Sequence, residues 1–307
     1  MEPILEQLAG RFDRMPPATA TALLREHFAL EPVALELLDT ERDDSFRVTT
    51  VEGYFVLKVA HPADDPAVIE MQGAAMERAS AAGLPVQRLV PTVAGATSVT
   101  VGGRVARVLT WLPGGSLADA MPDARQLFDL GAALGRLGVA LREFEHPAAH
   151  RLLGWDLQRI GALREYTDDA ALLAVIDRVG DLADLPHQVI HNDFHPGNLL
   201  VDDVGDLAGI LDFGDAVSSA RVCDLAVALA YFIPEEGDPW RDAAPFLAGF
   251  ESVVPLLAAE HAVLRDLVAA RLVMRVVIPS IVPQPRTDTL HYVDRNRRLL
   301  TNLTEGR

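Results

Sequence analysis

The run His191-Asn-Asp-Phe-His-Pro-Gly-Asn198-Leu-Leu-Val201, answered by Ile210-Leu-Asp212-Phe-Gly-Asp215, restricts what this chain can fold into more than any other stretch. It reads as a loop holding Asp193 and Asn198, a short apolar strand (199–201), an acidic turn with Gly205, and a second apolar strand that stops at Asp212. Two strands joined by a Gly/Asp turn form a hairpin, so Asn198 and Asp212 are expected at its open end with Asp193 beside them. Two carboxylates and an amide oxygen at one point suit a hard cation. Mg²⁺ takes one or two carboxylates and completes its shell with water and substrate phosphates. In the division of labour of phosphoryl transfer, Asn198 and Asp212 become metal ligands, and Asp193 accepts the proton of a substrate hydroxyl.

The pattern His-x-Asp-x-x-x-x-Asn followed by Asp-Phe-Gly resembles the catalytic and metal loops of the aminoglycoside phosphotransferase and choline kinase family, small-molecule relatives of protein kinases. Eukaryotic protein kinases carry Arg between the His and the Asp; this chain has Asn192 there, and no Ala-Pro-Glu follows Asp215. Neither a phosphorylated activation loop nor a protein substrate is therefore expected. The resemblance implies an α+β, two-lobed protein-kinase-like fold. Residues 1–112 would form a nucleotide-binding lobe of antiparallel sheet plus one main helix, and residues 113–307 a mostly helical catalytic and substrate lobe. ATP and Mg²⁺ are the implied cofactors.

Composition narrows the partners. The 27 basic and 44 acidic side chains leave a net charge of −17, which argues against nucleic acid and anionic membrane, since both call for a basic surface. Acidity is compatible with a cationic substrate, and is also a common route to solubility. The single Cys223 excludes an intramolecular disulfide and fits a reducing, cytoplasmic setting. The start Met1-Glu-Pro-Ile-Leu-Glu lacks the features of a signal peptide. No apolar run approaches the roughly 18 residues of a membrane span.

In chain order, residues 17–29 read as a short helix with Leu23, Leu24 and Phe28 on its apolar side, and 33–38 as a strand. A polar turn (39–46), a strand (47–51), Glu52-Gly53 and a strand (54–60) complete a meander. In a kinase-like fold that first turn covers the nucleotide phosphates. It has no Gly-x-Gly-x-x-Gly, so backbone N–H groups near Asp44, Ser45 and Phe46 would cradle them; the alternative is an ordinary solvated hairpin loop. Lys58 interrupts an apolar strand, where an unpaired ammonium is costly. It needs an anion, and nucleotide phosphates plus a helix carboxylate would serve, unless its head reaches solvent. The helix opened by Pro66 offers Glu70 and Glu77, and the family resemblance favours Glu70 as the partner. A hairpin at Gly102-Gly103 leads to the hinge Pro113-Gly114-Gly115. The resemblance puts the adenine near Leu109, Trp111 and Leu112, with a structural role for Trp111 as the alternative.

Beyond the hinge, Leu127, Leu130, Leu134, Leu137, Leu141 and Phe144 recur at three- and four-residue steps, the mark of an amphipathic helix, with Gly131 and Gly135 permitting close approach. One or two helices are expected within 156–184. A helix at 221–231 bears Asp224, which the resemblance makes a tie for the catalytic loop. Long helices at 241–258 and 261–278 follow, the second ended by Pro279, Pro283 and Pro285. His191 and His195 read as loop residues. A zinc site is disfavoured because Pro196-Gly197 breaks the helix their spacing would need. Gly-x-Ser-x-Gly hydrolase chemistry has no motif here.

Residues 209–231, Glu41-Arg-Asp and the strand 56–60 are similar to the hydroxylysine kinase-like branch, which implies a small, hydroxylated amine as acceptor. A hydroxylysine-like acceptor carries ammonium groups and a carboxylate. Asp215, Glu235, Glu236 and Asp238 are candidate acids, and Arg271 or Arg275 would meet the carboxylate. Solvated surface is the alternative for each. An aminoglycoside acceptor needs acids only. A catalytically silent binding protein is the reading from another class, and intact Lys58, Asp193, Asn198 and Asp212 speak against it.

Overall fold

The computed structural model describes residues 12–40, 42–119, 121–281 and 289–305. Glu41, Pro283, Pro285 and the Met1–Glu6 start lie outside them. The chain divides into two compact units after Pro113.

The first unit (10–113) opens with α1, Pro17–Phe28, whose Pro sits in the first turn, where no N–H is needed. Strands β1 (Ala34–Leu37), β2 (Asp44–Thr49) and β3 (Tyr54–Val59) form the expected meander. Helix α2, Pro66–Ala81, is capped by the Asp65 carboxylate, which accepts from Ala67 N. Then come β4 (Leu89–Val90), β5 (Val99–Val101) and β6 (Arg104–Thr110). The antiparallel sheet runs β1-β2-β3-β6-β4, with β5 also on β6. Gly102 and Gly103, at φ +58° and +80°, make the two-residue turn between β5 and β6.

The pleat sends alternate residues to opposite faces. One face carries Phe46, Val48, Leu57, Val59, Ala106 and Val108 onto Leu23, Leu24 and Phe28 of α1, forming this unit's core. Through the pairings Ser45↔Lys58↔Arg107 and Arg47↔Val56↔Leu109, the other face carries the lysine row and, beside it, Leu109.

The second unit begins with β7, Gly115–Ser116, and α3, Ala124–Leu141. Asp123 and Gln126 close a reciprocal capping box at the start of α3. The 157–166 stretch winds as 3₁₀ rather than α helix, followed by α4 (Ala170–Arg178). Strand β8 (His187–Ile190) leads into the loop, β9 (Leu199–Val201) and β10 (Leu207–Ile210) form the hairpin, and β11 (Val217–Ala220) returns to pair with β8. Helices α5 (Val222–Phe232), α6 (Pro239–Glu251), α7 (Ala258–Ile281) and α8 (Thr289–Glu305) complete the unit. Helix α3 meets α6 through glycine: a Cβ on Gly131 would strike the Phe246 carbonyl, and one on Gly249 the Phe128 carbonyl.

Several boundaries differ from the sequence expectation. The helix expected to reach 258 ends at Glu251. The next runs through Pro279 to Ile281, because a proline costs a helix one hydrogen bond and packing can hold the turn closed. Helix α8, which the sequence reading missed, packs along α7 with Asn296, Leu299, Leu300 and Leu303 buried.

Candidate active site

Strand β8 ends at Ile190, and the chain turns through Asn192 at φ +65°, a left-handed conformation that Asn tolerates. The buried Asp224 carboxylate near the start of α5 holds this turn, accepting from His191 N (3.2 Å) and Asn192 N (2.7 Å). The tie expected of Asp224 is thus present. His191 is also buried, its Nδ1 accepting from Asp193 N and its Nε2 lying 3.0 Å from the Leu211 carbonyl. It orders the loop.

The hairpin register sets Leu199 opposite Ile210, and Leu211 N donates to the Asn198 carbonyl at 2.8 Å. Asn198 and Asp212 therefore meet at the open end. Asp212 takes φ +54°, and its Oδ1 accepts from Gly214 N, which turns the chain away from β10. Asn198 Nδ2 donates to Asp193 Oδ2 (2.8 Å) and to the Asp193 carbonyl (3.0 Å). With its NH₂ group engaged by Asp193, Asn198 has its amide oxygen left as a donor, and with the Asp212 carboxylate this makes two oxygen donors at the hairpin end. That set fits Mg²⁺.

Asp193 is held from three directions. Besides Asn198, His195 Nε2 lies 3.4 Å from Oδ2, and Arg271 Nη2, from α7, lies 3.4 Å from Oδ1. Burial works to raise the Asp193 pKa, but the His195 hydrogen bond and the charges of His195, Arg271 and His191 outweigh it, holding the group below the usual carboxylate range. Asp215 goes the other way: burial first, then the Asp193 charge, push it up to about 7 against the pull of Arg271 and Arg151. Arg151 donates to the Ala216 carbonyl, steadying the turn that carries Asp215.

The other acids and bases separate clearly. Glu235 accepts from Arg295 and Arg298 of α8 and serves as a tether between segments. Asp238 caps α6 through Trp240 N and Arg241 N, and Glu236 is exposed. These three have structural or solvated positions, so the expectation that Glu235 faces substrate is corrected. Arg271 and Arg275 are each only 1% exposed. Arg271 donates to the Trp155 carbonyl at 3.0 Å and lies over the Trp155 ring, while Arg275 lies 3.7 Å from the Tyr231 ring centroid. His195 also stacks on Tyr231, with centroids 4.8 Å apart. The sequence reading missed His195, Trp155 and Tyr231 as parts of this cluster, and with them Tyr292, whose hydroxyl accepts from Arg275 Nε. Only the loop position of His195 gave any signal.

In the first unit, the expected cradle is corrected. Asp44, Ser45 and Phe46 are buried strand residues, not loop. The Asp44 carboxylate accepts from Arg104 (2.7 Å), Met15 N (2.9 Å) and Arg14 (3.1 Å), which pulls the strand start into the core. Phe46 points to the α1 face. The Ser45 hydroxyl does face the lysine row, and its Oγ is buried without a hydrogen-bond partner among the described residues. Lys58 Nζ lies 3.7 Å from Asp43 Oδ2, while Glu70 is exposed on α2 and does not form the expected pair. Arg107, across from Lys58, reaches the Ile69 carbonyl and Gln72 Oε1. Leu109 is buried on that same face, with Trp111 beyond it. Arg47 lies between the rings of Trp111 (5.0 Å) and Tyr54 (4.6 Å), and Leu112 follows, half-buried.

Among the described residues, no helix is long and apolar enough to cross a membrane. The chain matches the phosphotransferase enzyme family over residues 35–251. It is 29% identical to the hydroxylysine kinase of Mus musculus over 90% of this chain and 85% of that one. It is 34% identical to a homoserine kinase of Methylobacterium radiotolerans, over 72% of each. The solved amicoumacin kinase hAmiN, in complex with AMP-PNP, Ca²⁺ and Ami, overlays with a TM-score of 0.76 at 18% identity, covering 95% of both chains. The relatives are named kinases, the fold is theirs, and this chain belongs to the phosphotransferase enzyme family as a small-molecule kinase.

Proposed function

We propose that this protein transfers the γ-phosphoryl group of ATP to a hydroxyl of a small, amine-bearing metabolite, with a hydroxylysine-like amino acid as the acceptor. The observation that carries the reading is the Asp193 carboxylate, held at both oxygens by Asn198, His195 and Arg271 beside the hairpin end where Asn198 and Asp212 meet. Asp193 orients the acceptor hydroxyl and takes its proton. Asn198 and Asp212 would hold Mg²⁺, which when bound neutralises charge on the transferring phosphates. Lys58, with the Ser45 hydroxyl on the same sheet face, is the ligand for the nucleotide's α/β-phosphates; Leu109, Trp111 and Leu112 belong to the adenine end. Asp215 is the ligand proposed for the acceptor's ammonium. The names of the relatives, hydroxylysine kinase and homoserine kinase, support an amino-acid acceptor.

The test is a screen for ADP release over hydroxylated amino acids, amino alcohols and aminoglycosides, with Asp193→Asn as the blank. The expected result is turnover on at least one hydroxylated amine, abolished in Asp193→Asn while ATP still binds by calorimetry. Near-normal turnover by Asp193→Asn would remove Asp193 from its role. Preference for an aminoglycoside would assign the alternative acceptor. No turnover and no nucleotide binding would leave a silent kinase-like binding protein.

A further inference from the structure

Arg275 carries a buried charge that two tyrosine faces meet and that no carboxylate among the described residues meets. It is 1% exposed, yet among the described residues no carboxylate lies within ion-pairing distance. Its Nε donates to Tyr292 Oη (2.9 Å), its Nη1 donates to the Ala230 carbonyl (2.6 Å), and Nη2 has no hydrogen-bond partner among the described residues. Its guanidinium lies over Tyr231 (3.7 Å) and faces Tyr292 (5.2 Å). Every one of these contacts is neutral. Guanidinium does not shed its proton in proteins, and burying an ion without a counter-charge carries a penalty of several kcal/mol. A tie from α7 to the Ala230 carbonyl and to Tyr292 needs hydrogen-bond donors but no charge. The tyrosine faces offset part of the charge, and what remains without a partner among the described residues is a counter-anion.

Its location says what would match that charge. Arg271, one turn earlier on α7, spends its own charge on Asp193. Four residues of helix rise about 6 Å, so Arg275 stands a full turn beyond the group that touches the proposed base. Tyr231 links the two places, contacting Arg275 and stacking on His195, which in turn lies against Asp193. An acceptor that extends from Asp193 along Tyr231 would bring an anionic group at its far end to Arg275. The separation suits a linear molecule with its hydroxyl toward one end and its anion toward the other.

We propose that Arg275 receives the carboxylate of the acceptor, which makes the acceptor a hydroxylated amino acid rather than an amino alcohol or an aminoglycoside. This rests on the kinase reading above and deepens it. The charge-assisted bond supplies the discrimination; Tyr231 and Tyr292 fix the guanidinium so that little ordering is needed on binding.

The experiment compares hydroxylysine and homoserine, each beside the amino alcohol left when its carboxylate is removed. ADP release is read in wild type, Arg275→Gln, Arg275→Lys and Tyr292→Phe. Expected is a wild-type preference for the amino acid of roughly 10- to 100-fold in kcat/KM. Arg275→Gln should erase it by raising KM for the amino acid far more than for the amino alcohol, Arg275→Lys should restore part, and Tyr292→Phe should weaken it severalfold. Indifference of the wild type to the carboxylate overturns the proposal, as does an equal loss on both acceptors by an Arg275→Gln protein with unchanged circular dichroism. If Arg275→Gln does not fold, the wild-type comparison and Tyr292→Phe decide by the same criteria. Calorimetric titration of the amino acid without ATP separates the two readings. Carboxylate-dependent binding with no ADP release on any acceptor sinks the kinase reading alone, and turnover without carboxylate preference sinks this proposal alone.

Discussion

Replacing Asp224 by Asn tests how the loop bearing Asp193 is held. The wild-type carboxylate accepts two backbone N–H groups, from His191 and Asn192, in a setting where Asp224 is 4% exposed. In the variant, one of the two oxygens becomes an NH₂ group facing an N–H, so one donor loses its acceptor. A hydrogen bond to a charged group contributes about 1.5–3 kcal/mol, and leaving a buried N–H unmatched costs a further 1–3 kcal/mol. Part is returned because the variant no longer buries a carboxylate, whose pKa burial has pushed up. A net loss of about 2–4 kcal/mol follows. For a unit of this size, each kcal/mol moves the melting temperature by roughly 2–4 °C, so calorimetry should find Asp224→Asn melting on the order of 5–15 °C below wild type. The loss has a functional side. Asn192 occupies a left-handed conformation that costs on the order of 1 kcal/mol or more unless the surroundings impose it, and Asp193 is its immediate neighbour. Released, the loop moves the carboxylate, and a displacement near 1 Å costs about a hundredfold in rate. Turnover should fall tenfold or more while calorimetric ATP affinity stays within about threefold, on the same scale of effects. A variant that melts within a degree of wild type with full kcat would refute the clamp.

Two further outcomes are expected. Asp215 is pushed up to about 7, so the folded protein keeps a proton that the unfolded chain releases nearer pH 4; this contribution is present at low pH and lost as pH rises through 7. Asp215→Asn should therefore gain stability relative to wild type on going from pH 5 to pH 8, by roughly 2–3 kcal/mol at 1.36 kcal/mol per pH unit, and a pH-independent difference in urea unfolding would refute the assignment. Gly249→Ala puts a methyl against the Phe128 carbonyl; overpacking costs about 1–3 kcal/mol, so its urea midpoint should fall, whereas a rise, as helix propensity alone would give, refutes the close α3–α6 approach.

What was legible in the sequence was whatever local chemistry dictates. The hairpin at 199–210 followed from two apolar runs and a Gly turn, and its register sets Asn198 and Asp212 at the open end of the two strands. The α3 helix followed from its apolar spacing, and its glycines announced the close partner that α6 supplies. The errors arose where tertiary contacts overrode local polarity. Asp39 to Ser45 reads as a polar turn, but Arg104, 60 residues away, reaches the Asp44 carboxylate and draws the end of that run into the sheet. Glu70 was chosen by its place on a helix, and its rotation out to solvent depends on how α2 sits on the sheet, which no local pattern encodes. Helix α8 was missed because its polar residues dominate its mean character, while only its narrow buried stripe reveals it.

The hold on this loop residue, Asp193, is the feature furthest beyond sequence reasoning, since Arg271 lies 78 residues away on α7. Its consequence for chemistry runs against the simplest picture of a strong base. A carboxylate kept below its ordinary pKa by His195 and Arg271 is ionised at neutral pH but has little appetite for a proton. Phosphoryl transfer tolerates this. Its transition state is loose in most analyses, with little bonding to the incoming oxygen, so the nucleophile needs direction more than activation. A fixed, ionised carboxylate would supply direction: it would accept the acceptor's O–H hydrogen bond, aim the oxygen, and take the proton only as the new P–O bond forms. The proposed role of Asp193 is thus orientation first and proton acceptance late. Its weak basicity is then compatible with full activity, and the same contacts that weaken it are the ones that hold it still.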